Sequence, residues 1–547
     1  EAFPHRNWLF WACFIALVAT SLSFILRAFL MDTWASEYGF SESQKGQLLG
    51  VGLWPFAISI VVFSLGIDKL GYGRAMVFAF LGHVTTVVMV MFLDAFENPY
   101  WALYIALFIN ALANGTVEAV INPVVASVYP NQKTKWLTIL HAGWPGGLVL
   151  GGLLTLAMNP GGLIGNLVGA TAESPIDWRY AMALILLPTI VYGLMMLRAK
   201  FPVSERVSAG VSYRAMLKEA GVIGMGLVVL LIVWELTRVG VTLTGTYWIP
   251  DYSMEFWPMF GLSVGITVVL MIPYAVYVGF APGRWLFVLL MLAMIPLATT
   301  ELGTDAWIKD LMKPQMQALG EQWFGSPLDG GWVLIYSASI MLVLRFACGP
   351  LVRVLGPIGI LAVSSAFAAV GIAFMSWAAG LIILLAATIY AIGQTFFWPA
   401  TLGLVSERFP RGGALTLNAI AGLGMLGVGI IGTQFLGVVQ DHQRMDLLSE
   451  RRPALVEKVV AEREPTLFGQ MIPLDEQRIA ALPEEDRALI EQVKNESKRD
   501  ALLIVATLPV GLCLFYCGLL LYFKARGGYR PVEISDHAPP PESEARP

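Results

Sequence analysis

Charged residues are scarce in this 547-residue chain. Only 14% of its residues are Asp, Glu, Lys or Arg, whereas 57% are hydrophobic and the mean hydropathy is +0.68. A soluble domain carries about 25% charged residues, so the composition excludes an ordinary soluble enzyme. The formal net charge is −4 and the sequence has no long basic run, so nothing predicts a nucleic-acid partner.

Cysteines and catalytic motifs are also few. The four cysteines lie inside apolar segments, so we expect small packing residues and neither a disulfide framework nor a metal site. The sequence has no phosphate-binding loop, CxxC pair, zinc-protease motif or nucleophile elbow. We therefore predict that the protein is not an enzyme, with no catalytic residues, no metal and no bound cofactor.

Long apolar runs make up most of the chain. A helix that crosses the hydrocarbon layer needs about 20 mainly apolar residues, and fourteen runs of that kind predict an all-α polytopic membrane protein. The predicted spans are approximately 8–31, 46–66, 74–95, 99–129, 135–157, 178–199, 219–245, 258–280, 284–306, 331–350, 357–377, 380–405, 412–438 and 501–523.

Lysine and arginine in the short loops predict the orientation of these spans. Basic residues such as Lys133, Arg284 and Arg408 all fall on one side, whereas opposite loops, including the one at Asp251, are acidic or neutral. Since cytoplasmic loops retain basic residues, both termini are predicted to be cytoplasmic and the protein to lie in the inner membrane.

An internal repeat relates the two halves of the chain. Segments 64–71 and 349–356 both have a small residue, a charged residue at +4 and a glycine at +7. Segments 121–130 and 397–410 both place a proline in an apolar run and an aromatic-proline pair after it. These matches predict a duplicated six-helix unit.

The segment from Ser64 to Arg74 resembles the cytoplasmic loop motif of the major facilitator superfamily, although Ser64 and Arg353 depart from the family pattern. The resemblance implies two rocking bundles and a midplane site between them. It also implies gating by a charge network of Asp68, Lys69, Arg74 and Arg353, in which we also place Arg345.

The same template divides the chain into seven predicted parts. They are an N-terminal bundle (8–199), a cytoplasmic linker (200–218), an inserted helix pair (219–280), C-terminal bundle helices (284–438), a charged periplasmic helical insertion (439–500), the last helix (501–523) and a disordered cytoplasmic tail (524–547).

A narrower resemblance covers about thirty residues. The segments 118–123, 130–133 and 141–147 resemble helices four and five of the fucose, glucose and galactose porter branch, and 300–307 resembles its helix seven. This resemblance implies that Glu118 is the proton-linked carboxylate. Its place fits, because Asn110, Asn114, Glu118 and Asn122 recur every four residues along one helix face. The alternative is a buried glutamate held by neighbouring asparagines for packing.

Arg27 stands where the porter pattern expects an acidic residue. It can pair with an anionic substrate, or it can extend to the membrane surface beside Asp32. Further predicted substrate contacts are Asn114, Asn122, His141, Trp144, Glu301, Gln394, Trp398 and Asn418. We place Glu301 with Asp305 at the outer mouth, with ion pairing to Lys309 as the alternative, and packing remains the alternative for the others.

These features predict a secondary active transporter for a small polar solute. The first hypothesis is a sugar or sugar-like substrate in symport with protons, with Na⁺ as the less favoured coupling ion. The second is a carrier of an organic anion or sugar acid that uses Arg27 as counter-ion, and the third is a receptor that keeps the transporter fold. The expected partners are the small-molecule substrate and the lipid bilayer, and we expect a monomer.

Overall fold

The computed structural model describes residues 3, 5–40, 42–171, 174, 176–244, 256–305, 316–317, 320–321, 331–378, 381–461, 464–466, 468–472 and 474–534. Asp251, Lys309 and the predicted tail beyond residue 534 lie outside these residues. The helices of the first half are α1 (Arg6–Tyr38), α2 (Glu42–Gly50), α3 (Trp54–Leu70), α4 (Tyr72–Met91), α5 (Pro99–Val128), α6 (Lys133–Leu140), α7 (Gly143–Met158), α8 (Leu163–Val168), α9 (Trp178–Ala183) and α10 (Leu186–Leu197), with 3₁₀ turns at Leu93–Ala95 and Pro130–Gln132.

The rest of the described chain is also almost entirely helical. A linker helix and the inserted pair are α11 (Glu205–Ser208), α12 (Tyr213–Thr244) and α13 (Phe256–Val278). The second half contains α14 (Trp285–Ala298), a π-helical turn (Thr299–Gly303), α15 (Gly331–Phe346), α16 (Gly349–Trp377), α17 (Ile382–Gln394), α18 (Phe397–Arg408), a 3₁₀ turn (Pro410–Gly412), α19 (Gly413–Gly427), a second π-helical turn (Val428–Gly432), α20 (Thr433–Arg451), α21 (Pro453–Val459), strands β1 (Glu464–Thr466) and β2 (Gly469–Met471), α22 (Glu476–Ala480), α23 (Glu484–Val505) and α24 (Thr507–Ala525).

The described residues contain thirteen helical segments that are long and apolar enough to cross a membrane, and a shorter apolar helix at Trp332–Phe346. Several crossings consist of two helices, because proline and glycine interrupt them, as at the junction of α6 and α7. The predicted all-α membrane fold is confirmed. The only strands in the described part are β1 and β2, two antiparallel strands of three residues each that pair with one another in the insertion.

The two repeat matches have the same backbone geometry in both halves. Gly71, which ends α3, has φ +85, and Gly356, inside α16, has φ +63. Glycine adopts this left-handed region without a steric penalty, which explains why the repeat has glycine at both places. Tyr129 and Phe409 end their helices with φ values of −126 and −127, and each is followed by a 3₁₀ turn that starts at proline.

Among the described residues, the most extensive packing between the halves is that of α3 with α19, α7 with α15, α6 with α18 and α5 with α19. We call the face of the bundle at which α1 starts the N-terminal face. At this face Tyr129 Oη, at the end of α5, donates to Asn7 Oδ1 near the start of α1. At the opposite face Trp178 Nε1 donates to Glu37 Oε2.

The insertion between the last two crossings forms a small folded cap at the opposite face. Its core consists of apolar residues from α20, α21, α22 and α23, including Leu448, Val459 and Ile490. Arg499 Nη2 donates to Ala378 O at 2.7 Å, which ties the cap to the end of α16.

The prediction of a disordered tail from residue 524 is wrong for its first part. The last helix continues to Ala525, and Tyr529 Oη then donates to Glu407 Oε2 at 2.7 Å. Val532 N donates to Glu407 O at 2.8 Å. These bonds hold the segment after α24 against the end of α18.

Candidate functional site

A small cavity of about 30 Å³ lies between the two halves. That is room for about one or two water molecules, so the site is closed in this structure. The first half contributes Phe56, Glu118, His141 and Trp144, and the second contributes Glu301, Leu302, Arg345, Trp398 and Met425. Five of the predicted site residues therefore meet in one place: Glu118, His141, Trp144, Glu301 and Trp398.

Glu118 is the acidic residue that the first half brings to the cavity. It is 5% exposed, and Asn122 Nδ2 donates to its Oε2 at 2.7 Å. Among the described residues it has no ion-pair partner. Asn122 Oδ1 lies 3.0 Å from His141 Nε2, so Asn122 stands behind the cavity and positions both of these side chains.

The polar stripe on α5 divides into two groups. Glu118 and Asn122 belong to the cavity, whereas Asn114 Nδ2 donates to Ser23 Oγ and Asn114 Oδ1 lies 2.8 Å from His83 Nε2. Asn110 Nδ2 also donates to Ser23 Oγ. The upper part of the stripe therefore packs helices together and does not line the cavity.

Glu301 and Arg345 form a buried ion pair with a distance of 3.3 Å from Oε1 to Nη2. Glu301 lies on the first π-helical turn, an irregularity that is common at functional sites. Two predictions need correction here, because Glu301 lines the central cavity and not the outer mouth, and Arg345 belongs to the cavity and not to a charge network at the helix ends.

Prolines explain where Arg345 binds. Pro145 and Pro399 lack the N–H that would bond to the carbonyls four residues earlier, at His141 and Thr395. Arg345 donates to both of these carbonyls, from Nη1 to His141 O at 2.7 Å and from Nε to Thr395 O at 2.8 Å. Arg345 therefore connects the two halves through backbone acceptors that proline has freed.

Asn418 makes a second bond of the same kind. Pro123 frees the carbonyl of Ala119, and Asn418 Nδ2 on α19 donates to that oxygen on α5 at 3.0 Å. Gln394 donates instead to Asp305 Oδ1 at 3.1 Å. Both predicted residues thus bond to protein groups at the edge of the cavity rather than line it.

Arg27 lies one layer away from the cavity. It is 5% exposed, makes no ion pair within the described part of the chain, and places its guanidinium 5.0 Å from the Phe24 ring centre. Phe24 in turn contacts Trp144 with a ring separation of 5.5 Å. A Cβ on Gly52 would overlap the guanidinium, so this glycine makes room for Arg27. The surface placement beside Asp32 is therefore wrong.

The predicted gating residues have different surroundings. Asp68 binds the linker, through Arg206 Nη2 at 2.5 Å and Ser204 Oγ at 2.8 Å, and Arg206 packs beside Gly413 of the second half. The residues Lys69, Arg74 and Arg353 are exposed. Within the described ranges, Asp68 is therefore connected to the second half through the linker.

Direct closure of the N-terminal face depends on α6 and α18. Lys133 Nζ donates to Ser406 O at 3.3 Å, and Thr134 Oγ1 bonds to Glu407 Oε1. Gly403 allows this approach, because a Cβ there would collide with Thr134. Cys348 is buried nearby, with Sγ 3.7 Å from Lys135 O.

We expect Gly403→Val to hold this face open, because the added side chain cannot fit against Thr134. The measurement is the rate at which a maleimide labels Cys348 in a background with Cys13, Cys513 and Cys517 changed to Ala. We expect labelling to become at least about tenfold faster, because a shift of about 1.4 kcal/mol in the equilibrium between the closed and open face changes the open population about tenfold. Gly518→Val, at an exposed glycine on α24 where an added Cβ meets no atom within 4 Å, is the matched control. Equal labelling rates in both variants would contradict this closure.

Sequence comparison places these features in a family. Residues 12–433 match the family model of the Major Facilitator Superfamily. The chain belongs to the major facilitator superfamily. Members of this family are transporters, so its fold implies a lipid bilayer around the protein and a small-molecule substrate. No curated protein matches the sequence.

Solved major facilitator structures share the fold at low sequence identity. The proton:xylose symporter XylE has a TM-score of 0.56 at 12% identity, covering 94% of this chain and 96% of that one. The E. coli fucose:proton symporter FucP has a TM-score of 0.54 at 14% identity, with 93% and 97% covered. The human organic anion transporter MFSD10 has a TM-score of 0.52 at 11% identity, with 94% and 100% covered.

Arg345 lines the cavity although it is not among the predicted substrate contacts. The sequence does contain a sign of this role. Prolines at 145 and 399 leave the carbonyls at 141 and 395 without their usual helical N–H donors, so these carbonyls need donors from elsewhere. Pairing those carbonyls with an arginine on another helix requires knowledge of which helices face each other across the cavity. The superfamily resemblance alone does not supply that.

Proposed function

We propose that this protein is a secondary active transporter that carries a sugar or a sugar-like polar solute in symport with protons. The observation that carries the proposal is Glu118, a buried carboxyl group on the cavity between the halves that has no ion-pair partner among the described residues. Such a group can hold a proton when the site is closed and release it when water enters.

The cavity chemistry favours a polar ring as substrate. Trp144 and Trp398 come from different halves, and flat aromatic side chains suit the apolar face of a sugar ring. Glu118, His141 and Glu301 offer hydrogen bonds to hydroxyl groups, and Glu301 Oε2 has no partner of its own within the described residues. The similar structures XylE and FucP are a xylose and a fucose symporter coupled to protons, which supports the same class.

Arg27 favours a second candidate, the transport of an organic anion or sugar acid. Its guanidinium is buried beside Phe24 without an acidic partner in the described chain, and an isolated buried cation is costly. An anionic substrate that reaches past Trp144 would compensate it. The human organic anion transporter among the similar structures is consistent with this alternative.

A ligand panel separates the two candidates. The purified protein is melted with neutral hexoses, disaccharides and sugar acids at two pH values, with and without Na⁺, because a ligand of the folded state raises the melting temperature. The ligand that stabilises the protein is then tested for flux in proteoliposomes. Stabilisation without flux would favour a receptor, and no stabilisation by any neutral sugar would contradict the sugar proposal.

For a neutral sugar we expect Arg27→Ala to change the affinity less than threefold, because no sugar hydroxyl reaches one layer beyond the cavity wall. For an anion the same change should weaken binding by about 10- to 150-fold, since charge-assisted hydrogen bonds contribute about 1.5–3 kcal/mol. Titration of the stabilising ligand against both proteins measures the ratio. Arg198→Ala, at an exposed arginine with no predicted role in the site or the gate, is the control.

A further inference from the structure

A second cavity, separate from the central one, opens at the N-terminal face. It has a volume of about 430 Å³ and lies where α14 begins and where α18 and α24 end. The ends of apolar helices mark the boundary between hydrocarbon and headgroups. This cavity therefore lies at headgroup depth.

Its lining is strongly basic. Four arginines face it, and no Asp or Glu is among the described residues that line it; the arginines are Arg284, Arg408, Arg526 and Arg530. Neighbouring acidic groups are already engaged: Glu219 pairs with Arg284 at 3.2 Å, and Glu407 bonds to Thr134 and Tyr529. Arg408, Arg526 and Arg530 have no carboxylate partner in the described part of the chain.

Aromatic rings hold two of the arginines in place. The Arg526 guanidinium lies 4.6 Å from the Tyr522 ring centre, and that of Arg408 lies 5.1 Å from the Phe523 ring centre. Arg408 Nη1 donates to Arg530 O, while its buried Nε has no partner among the described residues. Trp285, 53% exposed, stands at the rim, as aromatic residues do at the membrane interface.

We propose that this cavity binds the phosphate headgroup of an anionic phospholipid. Planar guanidinium groups match phosphate oxygens in a bidentate manner, and basic cavities between crossings bind anionic headgroups at the cytoplasmic side of membranes. The arginine and lysine pattern predicts that this face is the cytoplasmic one. The apolar walls of α14 and α24 give the acyl chains a surface on which to lie.

The bound lipid would act on the closure of the same face. Arg408 follows Glu407, which bonds to Thr134 of the first half and to Tyr529 of the tail. A headgroup that bridges Arg408, Arg526 and Arg530 fastens the tail against α18 while that closure is made. Anionic lipid therefore stabilises the state in which the N-terminal face is closed.

The test uses the full chain, delipidated in detergent, with phosphatidylglycerol, phosphatidylcholine of the same acyl chains, and inorganic phosphate as probes. Melting temperature and lipid adducts in native mass spectrometry are the readouts. We expect phosphatidylglycerol to stabilise the protein and Arg526→Gln/Arg530→Gln to weaken its binding about 25-fold, from about 1 kcal/mol per basic residue. Both arginines are exposed, so the fold should be retained.

Arg198→Gln/Lys200→Gln removes two exposed positive charges from the same face away from the cavity, and should retain wild-type binding. Equal binding of phosphatidylcholine, or an equal loss in this control, would overturn the proposal. Stabilisation by inorganic phosphate at the same concentration as the lipid would assign the cavity to a free anion and overturn the lipid assignment.

Discussion

Glu118→Gln is expected to abolish proton-driven accumulation of the substrate while substrate exchange across the membrane continues. Glutamine keeps the shape of the side chain and its bond to Asn122, but it cannot load or release a proton. In proteoliposomes with an imposed pH gradient, the ratio of internal to external substrate should fall to one. Exchange of labelled for unlabelled substrate, measured without a gradient, should stay within a few-fold of wild type.

A matched control is available on another crossing. Glu235 is also buried, but it pairs with Arg238 at 2.6 Å and lies on α12, outside the cavity lining. Glu235→Gln should leave accumulation intact. If Glu118→Gln still accumulated substrate against its gradient, another group would have to carry the proton. If the variant lost exchange as well, Glu118 would be a substrate contact rather than a coupling group.

Arg345→Met should produce the largest loss of stability in the cavity. The change leaves Glu301 buried without its cation. It also removes the Arg345 donor from the carbonyls of Thr395 and His141, and His141 O then keeps only the bond from Trp144 N. Breaking one side of a buried ion pair costs about 3–5 kcal/mol. A marked fall in melting temperature, together with loss of ligand stabilisation, is the expected measurement.

The double variant Glu301→Gln/Arg345→Met distinguishes the ion pair from the backbone bonds. Removing the uncompensated carboxylate should recover part of the lost stability, because a neutral buried group is less costly than a charged one. The remaining deficit measures the two carbonyl bonds, about 1.5–3 kcal/mol each for a charged donor. A double variant no more stable than Arg345→Met alone would refute the energetic role assigned to the pair.

The sequence is sufficient to predict the fold because its signals are local. Apolar runs give the crossings, and Gly71 and Gly356 take the same left-handed backbone that their repeat positions suggest. The resemblance to helices four and five brings Glu118, His141 and Trp144 to one cavity, because these residues lie on two consecutive crossings of the same half.

The remaining site residues depend on contacts between distant parts of the chain. Glu301 lines the central cavity and not the outer mouth where it was predicted, because the π-helical turn that carries it and its partner Arg345 follow from packing between crossings. The tail composition predicts disorder, yet Tyr529 and Val532 find bonding partners on Glu407 that no local pattern reveals. Asn114 fits the stripe on α5 but is used by Ser23 and His83.

The cap precedes the last helix in the chain, so during synthesis the cap is made and translocated before that helix inserts. The last helix, α24, packs along α16, but the cap lies between them in the chain and at the face opposite to the start of α1 and the end of α24. On the predicted orientation, roughly sixty residues must be translocated before α24 can insert, which takes on the order of 3–12 s at ribosomal rates. Until then the side of α16 that receives α24 faces lipid or the insertion machinery. Truncation of the chain after the cap would therefore leave α16 without the helix that covers this side.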